Sequence, residues 1–263
     1  PRFSPDGRQV LHTRVEGGTA DIWLFDFDSG TTTQVTTDAS FDELGIWLPD
    51  GKSIVYRGEN VLARKVLGGE TSVLVEDNQD IPSSVTPDGR FLIIDQQGED
   101  GNFGYVDLTA PGSVQTLIEI PGREGDAAVS PDGRWMAFAH QVGDRPEVVV
   151  APLSRDGDSV GLGRPWLPVS NRGGMVPHWR ADGRELIYVS TEGALHTVAV
   201  TLSGDTLRLG TPEELFFLQV DSGGWRFGWG ASPDHERFVL FEEFGGDRQT
   251  LHVLTNWQSR LAQ

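Results

Sequence analysis

Cysteine is absent from the 263 residues, which removes disulfide frameworks, thiolate zinc sites and thiol nucleophiles together. Basic side chains are scarce: 21 Lys and Arg stand against 39 Asp and Glu, a formal charge of −18. A surface this acidic repels phosphate backbones and anionic lipid headgroups, so neither nucleic acid nor a membrane surface is an expected partner. Solubility is the general consequence, and a preference for basic peptides or cations is the sharper one. Long apolar runs are missing as well. The longest, around "EVVVAPL", reads as a strand, and no direct membrane insertion is expected.

Glycine and proline are plentiful, at 33 and 15, and they are spread along the whole chain. That distribution suits many short strands joined by turns rather than long helices. Hydrophobic residues at 37% and charged residues at 23% are enough for a buried core.

One turn recurs. "FSPDGRQV" opens the chain and is followed by "WLPDGKSI", "VTPDGRFL", "VSPDGRWM", "WRADGREL" and "ASPDHERF". The shared aspartates are Asp6, Asp50, Asp88, Asp132, Asp182 and Asp234, separated by 44, 38, 44, 50 and 52 residues. Periods in this range point to propeller blades. Within each copy, proline presets φ for the second turn position and aspartate bonds a backbone N–H just ahead. Gly7, Gly51, Gly89, Gly133 and Gly183 supply the positive φ. These turn residues therefore read as structural, not as six catalytic or metal-binding carboxylates. In the sixth copy His235 follows Asp234 where glycine is wanted, so that turn is expected to be strained or rebuilt.

Each turn is followed by an apolar strand, a polar loop and a third strand, and most copies add a fourth. Four antiparallel strands repeated six times make an all-β, six-bladed propeller in a single domain. The blades are expected at about 1–38, 39–77, 78–120, 121–170, 171–220 and 221–263. The repeated "SPDG(R/K)" before an apolar strand resembles the PD40, or TolB-like, propeller repeat along the whole chain. "VSNRGGMVPHWRADGRELIYVSTEGALHTVAV", "LGTPEELF" and the closing "LHVLTNWQSRL" are similar to the C-terminal sensor propeller attached to bacterial serine/threonine protein kinases. No kinase motif is present in these residues. The resemblance implies a non-catalytic partner domain, with an extracytoplasmic, periplasmic setting favoured.

The sixth blade shows three strand candidates, with "QSRLAQ" after Trp257. Its outer strand is expected from residues upstream of Pro1 in a longer protein, leaving an edge open to strand contact.

Catalytic motifs are not found: there is no Gly-x-Ser-x-Gly elbow and no His-Glu-x-x-His, and no cofactor is called for. Recognition at the channel mouth is the remaining expectation, with a protein, peptide or small polar ligand as partner. The loops entering the inner strands and those joining second to third strands offer Phe41, Asp42, Glu43, Arg57, Asp126, Arg172, Trp225 and Arg226. Trp225 is equally suited to packing between blades five and six. His178 is the histidine expected nearest the axis, and burial with one hydrogen bond is its ordinary fate. The rival reading is a propeller hydrolase or lyase with a metal held at the mouth by His178 and nearby carboxylates.

Overall fold

Alternation of apolar and polar residues around six tight turns produces six antiparallel sheets. They appear in a computed structural model that describes residues 1–37, 40–98, 101–119, 122–218, 228–244, 248–255 and 257. Blade one consists of Arg2–Phe3, Gln9–Glu16, Thr19–Asp26 and Thr32–Gln34. Blade two is Glu43–Trp47, Ser53–Gly58, Val61–Val66 and Thr71–Glu76. Blade three is Ile81–Val85, Phe91–Asp95, Phe103–Asp107 and Gln115–Ile118. In blades four and five the third strand is long. Arg145–Asp156 pairs first with Ser159–Leu162 and then with the outer strand Leu167–Pro168. Ala194–Ser203 does the same with Thr206–Leu209 and Glu213–Phe217. The inner and second strands of these blades are Glu124–Val129 with Trp135–Val142, and Met175–Trp179 with Glu185–Val189. Blade six has three strands, Trp229–Ala231, Arg237–Phe244 and Arg248–Thr255.

Helices are absent among the described residues, and none is long and apolar enough to cross a membrane. Every expected turn joins an inner strand to a second strand. Ser4, Thr86, Ser130 and Ser232 add a feature that aspartate and glycine alone do not reveal. Each donates its hydroxyl to the turn aspartate two residues on, at 2.6 Å for Ser4 to Asp6 and 2.6 Å for Thr86 to Asp88. The same hydroxyl oxygen accepts the N–H that opens the second strand, as in Phe91 to Thr86 at 3.0 Å. Two weak bonds through one oxygen thus tie strand to turn to strand. Gly7, Gly51, Gly89, Gly133 and Gly183 all take positive φ, and His235 adopts φ +58 in the same role. The sixth turn is therefore strained but not rebuilt. Its His235 N–H still reaches the Ser232 carbonyl at 2.9 Å.

The core lies between blades, not within them. Five apolar clusters each join two consecutive blades, for example Phe91, Phe103 and Tyr105 of blade three with Met136 and Phe138 of blade four. Where blade six meets blade one, a different contact is used. The Arg237 guanidinium donates to the Gly7 carbonyl at 2.6 Å and lies over Phe3 and Phe27, at 5.5 and 5.0 Å from their ring centres. This seam closes the ring.

Candidate functional site

The inner strands run from the loop end of the axis to the turn end, and they are not smooth. Six residues before the turn aspartate, Leu44, Asp126 and Val176 take φ of +56, +60 and +54, each beside a break in pairing register. Positive φ at a β-branched residue such as Val176 costs of order 1–3 kcal/mol and persists only where its surroundings enforce it. The enforcement comes from the neighbouring blade. Asp126 N–H donates to Asp95 Oδ2 at 2.8 Å, and Asp126 Oδ2 accepts Val176 N–H at 3.3 Å. Leu44 N–H donates to Thr13 Oγ1 at 3.3 Å. The sequence does not mark these bulges as a set: aspartate tolerates a left-handed backbone, but leucine and valine disfavour it.

The expected mouth residues are thus largely engaged at the loop end. Asp42 is 2% exposed and accepts Ser40 Oγ at 2.9 Å. Glu43 pairs with Arg57, which also donates to the Gln79 carbonyl at 3.2 Å. Asp126 links blades three, four and five. Phe41 is 42% exposed and Arg172 is also exposed, on blades two and five, which face each other across the ring. Trp225 and Arg226 lie outside the described residues.

Among the described residues of that set, His178 alone lines the axial cavity. The cavity measures about 350 Å³ and occupies the turn end of the axis. Four residues before each turn aspartate, Arg2, Ile46, Ser84, Ala128, His178 and Gly230 form a ring around it, with turn prolines below. Trp47 and Trp179, one position further on, fix this ring. Trp47 Nε1 donates to the Arg2 carbonyl and Trp179 Nε1 to the Ala128 carbonyl, both at 3.0 Å, each reaching the preceding blade. The His178 ring meets Trp229 at 4.8 Å. His178 Nε2 and Trp229 Nε1 are both buried without a hydrogen-bond partner. The imidazole keeps an edge on the cavity but is surrounded by protein, and the crowding governs its charge. Burial, reinforced by Arg2, pushes its pKa well below the usual histidine value, so it is neutral near pH 7.

On the turn face a second concavity, about 440 Å³, is bordered by Asp6, Asp182 and Asp234 with Arg180. Their carboxylates are already employed. Asp182 takes both oxygens to Arg180 at 2.9 Å and accepts Arg184 N–H at 2.9 Å, which lowers its pKa to about 2. Among the described residues no three of His, Asp or Glu gather as a metal ion would require.

With this geometry in place, comparison with known proteins places the chain. The TolB beta propeller domain family, PD40, matches residues 1–160. The chain belongs to that family. The TolB crystal structure from Acinetobacter baumannii superposes on 95% of this PD40 propeller with TM-score 0.70, at 16% identity, and 62% of that chain is covered. An oligogalacturonate lyase solved in complex with manganese superposes on 96%, with TM-score 0.65 and 15% identity, covering 87% of the lyase. At this identity both likenesses show the fold alone. A curated relative, the uncharacterized peptidase YuxL of Bacillus subtilis (strain 168), is 28% identical over 145 residues. The match takes in 53% of this propeller and 21% of YuxL. The chain therefore spans about a fifth of that relative and under two thirds of the Acinetobacter TolB.

Proposed function

We propose that this PD40 propeller is a non-catalytic recognition module of a larger bacterial signalling or cell-envelope protein, working outside the cytoplasmic membrane. It takes a protein, peptide or small polar ligand at the loop end of its axis. The observation that carries this reading is the prepaired rim. Asp42, Glu43, Arg57 and Asp126 are held by bonds, several of them between blades, while Phe41 and Arg172 stand exposed beside them. A rim fixed before binding loses little entropy on association, and aromatic and arginine side chains are the types that anchor interfaces.

A panel of lysine- and arginine-containing octapeptides, titrated by calorimetry, tests it. Binding should weaken about tenfold or more for Phe41→Ala and for Arg172→Ala, with unchanged unfolding midpoints. Peptides that bind equally well to both variants would count against the rim.

An enzymatic role is the second reading, and the likeness to a manganese-bound lyase together with the YuxL relation favours it. It would need a metal held by His178 with carboxylates, and the described residues bring no such donor set together. Turnover of oligogalacturonate or of peptides by the purified chain with added Mn²⁺ would establish this role and overturn the first.

A further inference from the structure

The long third strands of blades four and five carry a device that appears in both. Each folds back through a two-residue tip: Gly157-Asp158 between Arg145–Asp156 and Ser159–Leu162, and Gly204-Asp205 between Ala194–Ser203 and Thr206–Leu209. The two glycines take φ of +60 and +61, as so tight a hairpin requires. Each tip is caught by the preceding blade. Arg90, just after the blade-three turn, donates Nη1 to the Gly157 carbonyl at 3.3 Å and Nη2 to Asp158. Arg134, at the same place in blade four, donates Nη1 to the Gly204 carbonyl at 3.2 Å and to Asp205 at 3.1 Å. An apolar side chain beyond each tip completes the lock, Val160 in one cluster with Phe91 and Leu207 in another with Trp135.

The position that catches the tip is held in blades one to six by Arg8, Lys52, Arg90, Arg134, Arg184 and Glu236. A carbonyl and a carboxylate side by side call for the forked donors of a guanidinium, which lysine and glutamate do not have. Arg8 lies 3.7 Å from Asp28 of its own blade. That leaves Arg184, which is exposed and whose guanidinium, among the described residues, has no hydrogen-bond or ion-pair partner. The reason lies two residues before the turn aspartate. Where other blades place a hydroxyl, blade five has Arg180, and it takes both oxygens of Asp182 at 2.9 Å. In blade four, by contrast, Asp132 draws on Arg134 itself at 2.9 Å. With its turn carboxylate held from the other side, Arg184 gives Asp182 a backbone N–H and keeps its fork.

We propose that Arg184 is the socket for a hairpin of a partner protein whose two-residue Gly-Asp tip offers the carbonyl and carboxylate that Arg90 and Arg134 take from this chain's own tips. Charge narrows the choice of partner. A chain of formal charge −18 repels a uniformly acidic surface, so the tip belongs to a protein that is otherwise neutral or basic. Where blades three and four hold Phe91 and Trp135, blade five holds Glu185, bonded to His235. The third socket therefore offers only the polar half of the lock, and docking there is weak and salt-sensitive, as suits a transient contact. It lies on the turn face, at the opposite end of the axis from the recognition rim, so either can fail without the other.

Nuclear magnetic resonance tests the assignment, with a disulfide-cyclised hairpin of the sequence from Val200 to Leu209 as probe. In low salt the Arg184 Nε–H and the backbone amides of Asp182 to Leu186 should shift saturably at millimolar probe, while the Nε–H groups of Arg90 and Arg134, already engaged, stay in place. A probe with asparagine for the tip aspartate should bind about threefold or more weakly, because the charge on the acceptor is lost. Arg184→Gln, at an exposed position, should leave the melting temperature unchanged and abolish the amide shifts, and high salt should diminish them in the unaltered protein. No saturable shift at several millimolar probe, equal binding of the two probes, or an undiminished response in Arg184→Gln would overturn the proposal. So would a slowly exchanging Arg184 Nε–H in the free protein, which would show that the chain fills the socket itself.

Discussion

At the scale of single residues, the turn carboxylates show how one side chain can organise a hairpin. Asp88 accepts Thr86 Oγ1 at 2.6 Å and Arg90 N–H at 3.3 Å, and it pairs with Arg155 from the extended hairpin of blade four. Asp88→Ala is expected to destabilise the fold by about 1–2 kcal/mol through the lost turn bonds, the exposed ion pair adding little. A shift in the urea midpoint with ligand binding unchanged is the outcome to look for. These carboxylates also set the acid limb of stability. Hydrogen bonds from Arg180 and Arg184 hold Asp182 at about 2, and the hydroxyl and backbone bonds of Asp6 lower it in the same direction. A folded pKa below the unfolded value means the contribution is fully present above about pH 4. It is lost as pH falls towards 2. His178 acts in the same direction at higher pH. Neutral when folded and free to take a proton when unfolded, it should erode stability as pH drops below about 6.5. Urea midpoints measured from pH 7 to pH 2 should therefore fall in two stages, and His178→Gln should shrink the upper one, the remainder belonging to His12, whose pKa burial lowers to about 4.

Turns and strands raise a second question, that of how neighbouring blades are held in register. The sixth turn answers with a residue chosen against local preference. His235 accepts a left-handed backbone, and in return its Nδ1 bonds Glu185 Oε1 of blade five at 2.7 Å while its carbonyl accepts Trp257 Nε1 at 2.9 Å. Replacement by glycine relieves the strain, worth about 1 kcal/mol, but forfeits a charge-assisted bond worth about 1.5–3 kcal/mol. His235→Gly is thus expected to lower the unfolding free energy despite satisfying the turn. A raised midpoint would show that the backbone term dominates. Blade six carries a second element-scale consequence. Its third strand, Arg248–Thr255, pairs with no outer strand among the described residues, and Val253 is 39% exposed where the blade-three counterpart Tyr105 is 7% exposed. Hydrogen exchange at Leu251, Val253 and Thr255 is expected to be faster than at Phe103, Tyr105 and Asp107. Equal protection would mean the edge is covered.

Over the whole molecule, the ring is as strong as its weakest interface. Among the described residues, five interfaces rest on apolar clusters, whereas the seam between blades six and one rests on Arg237 with Gly7, Phe3 and Phe27. Arg237→Ala removes a bond from a charged donor and two ring contacts, a loss of about 2 kcal/mol or more. The expected signature is a lower urea midpoint together with proteolytic cleavage beginning in blade one or six. Cleavage beginning in blade three or four would show that the seam is not the weak point. The seam also explains why the axial cavity depends on ring closure, since Arg2 and Gly230 belong to the two blades that meet there.

Much of this architecture was written in the chain. Six aspartate–glycine-type turns at blade-length spacing, each followed by an apolar strand, determine blade number, strand order and the structural use of the carboxylates, because turn chemistry and pairing period are local properties. Position around an axis is not local. The six residues ringing the cavity lie some forty residues apart, and they become neighbours through closure of the ring alone. The bulges at Leu44, Asp126 and Val176 are held by hydrogen bonds between adjacent blades, against the preference of leucine and valine. For the same reason the tertiary structure, not the sequence, decided which charged groups pair across blades and brought Arg2 and His178 to one level of the ring.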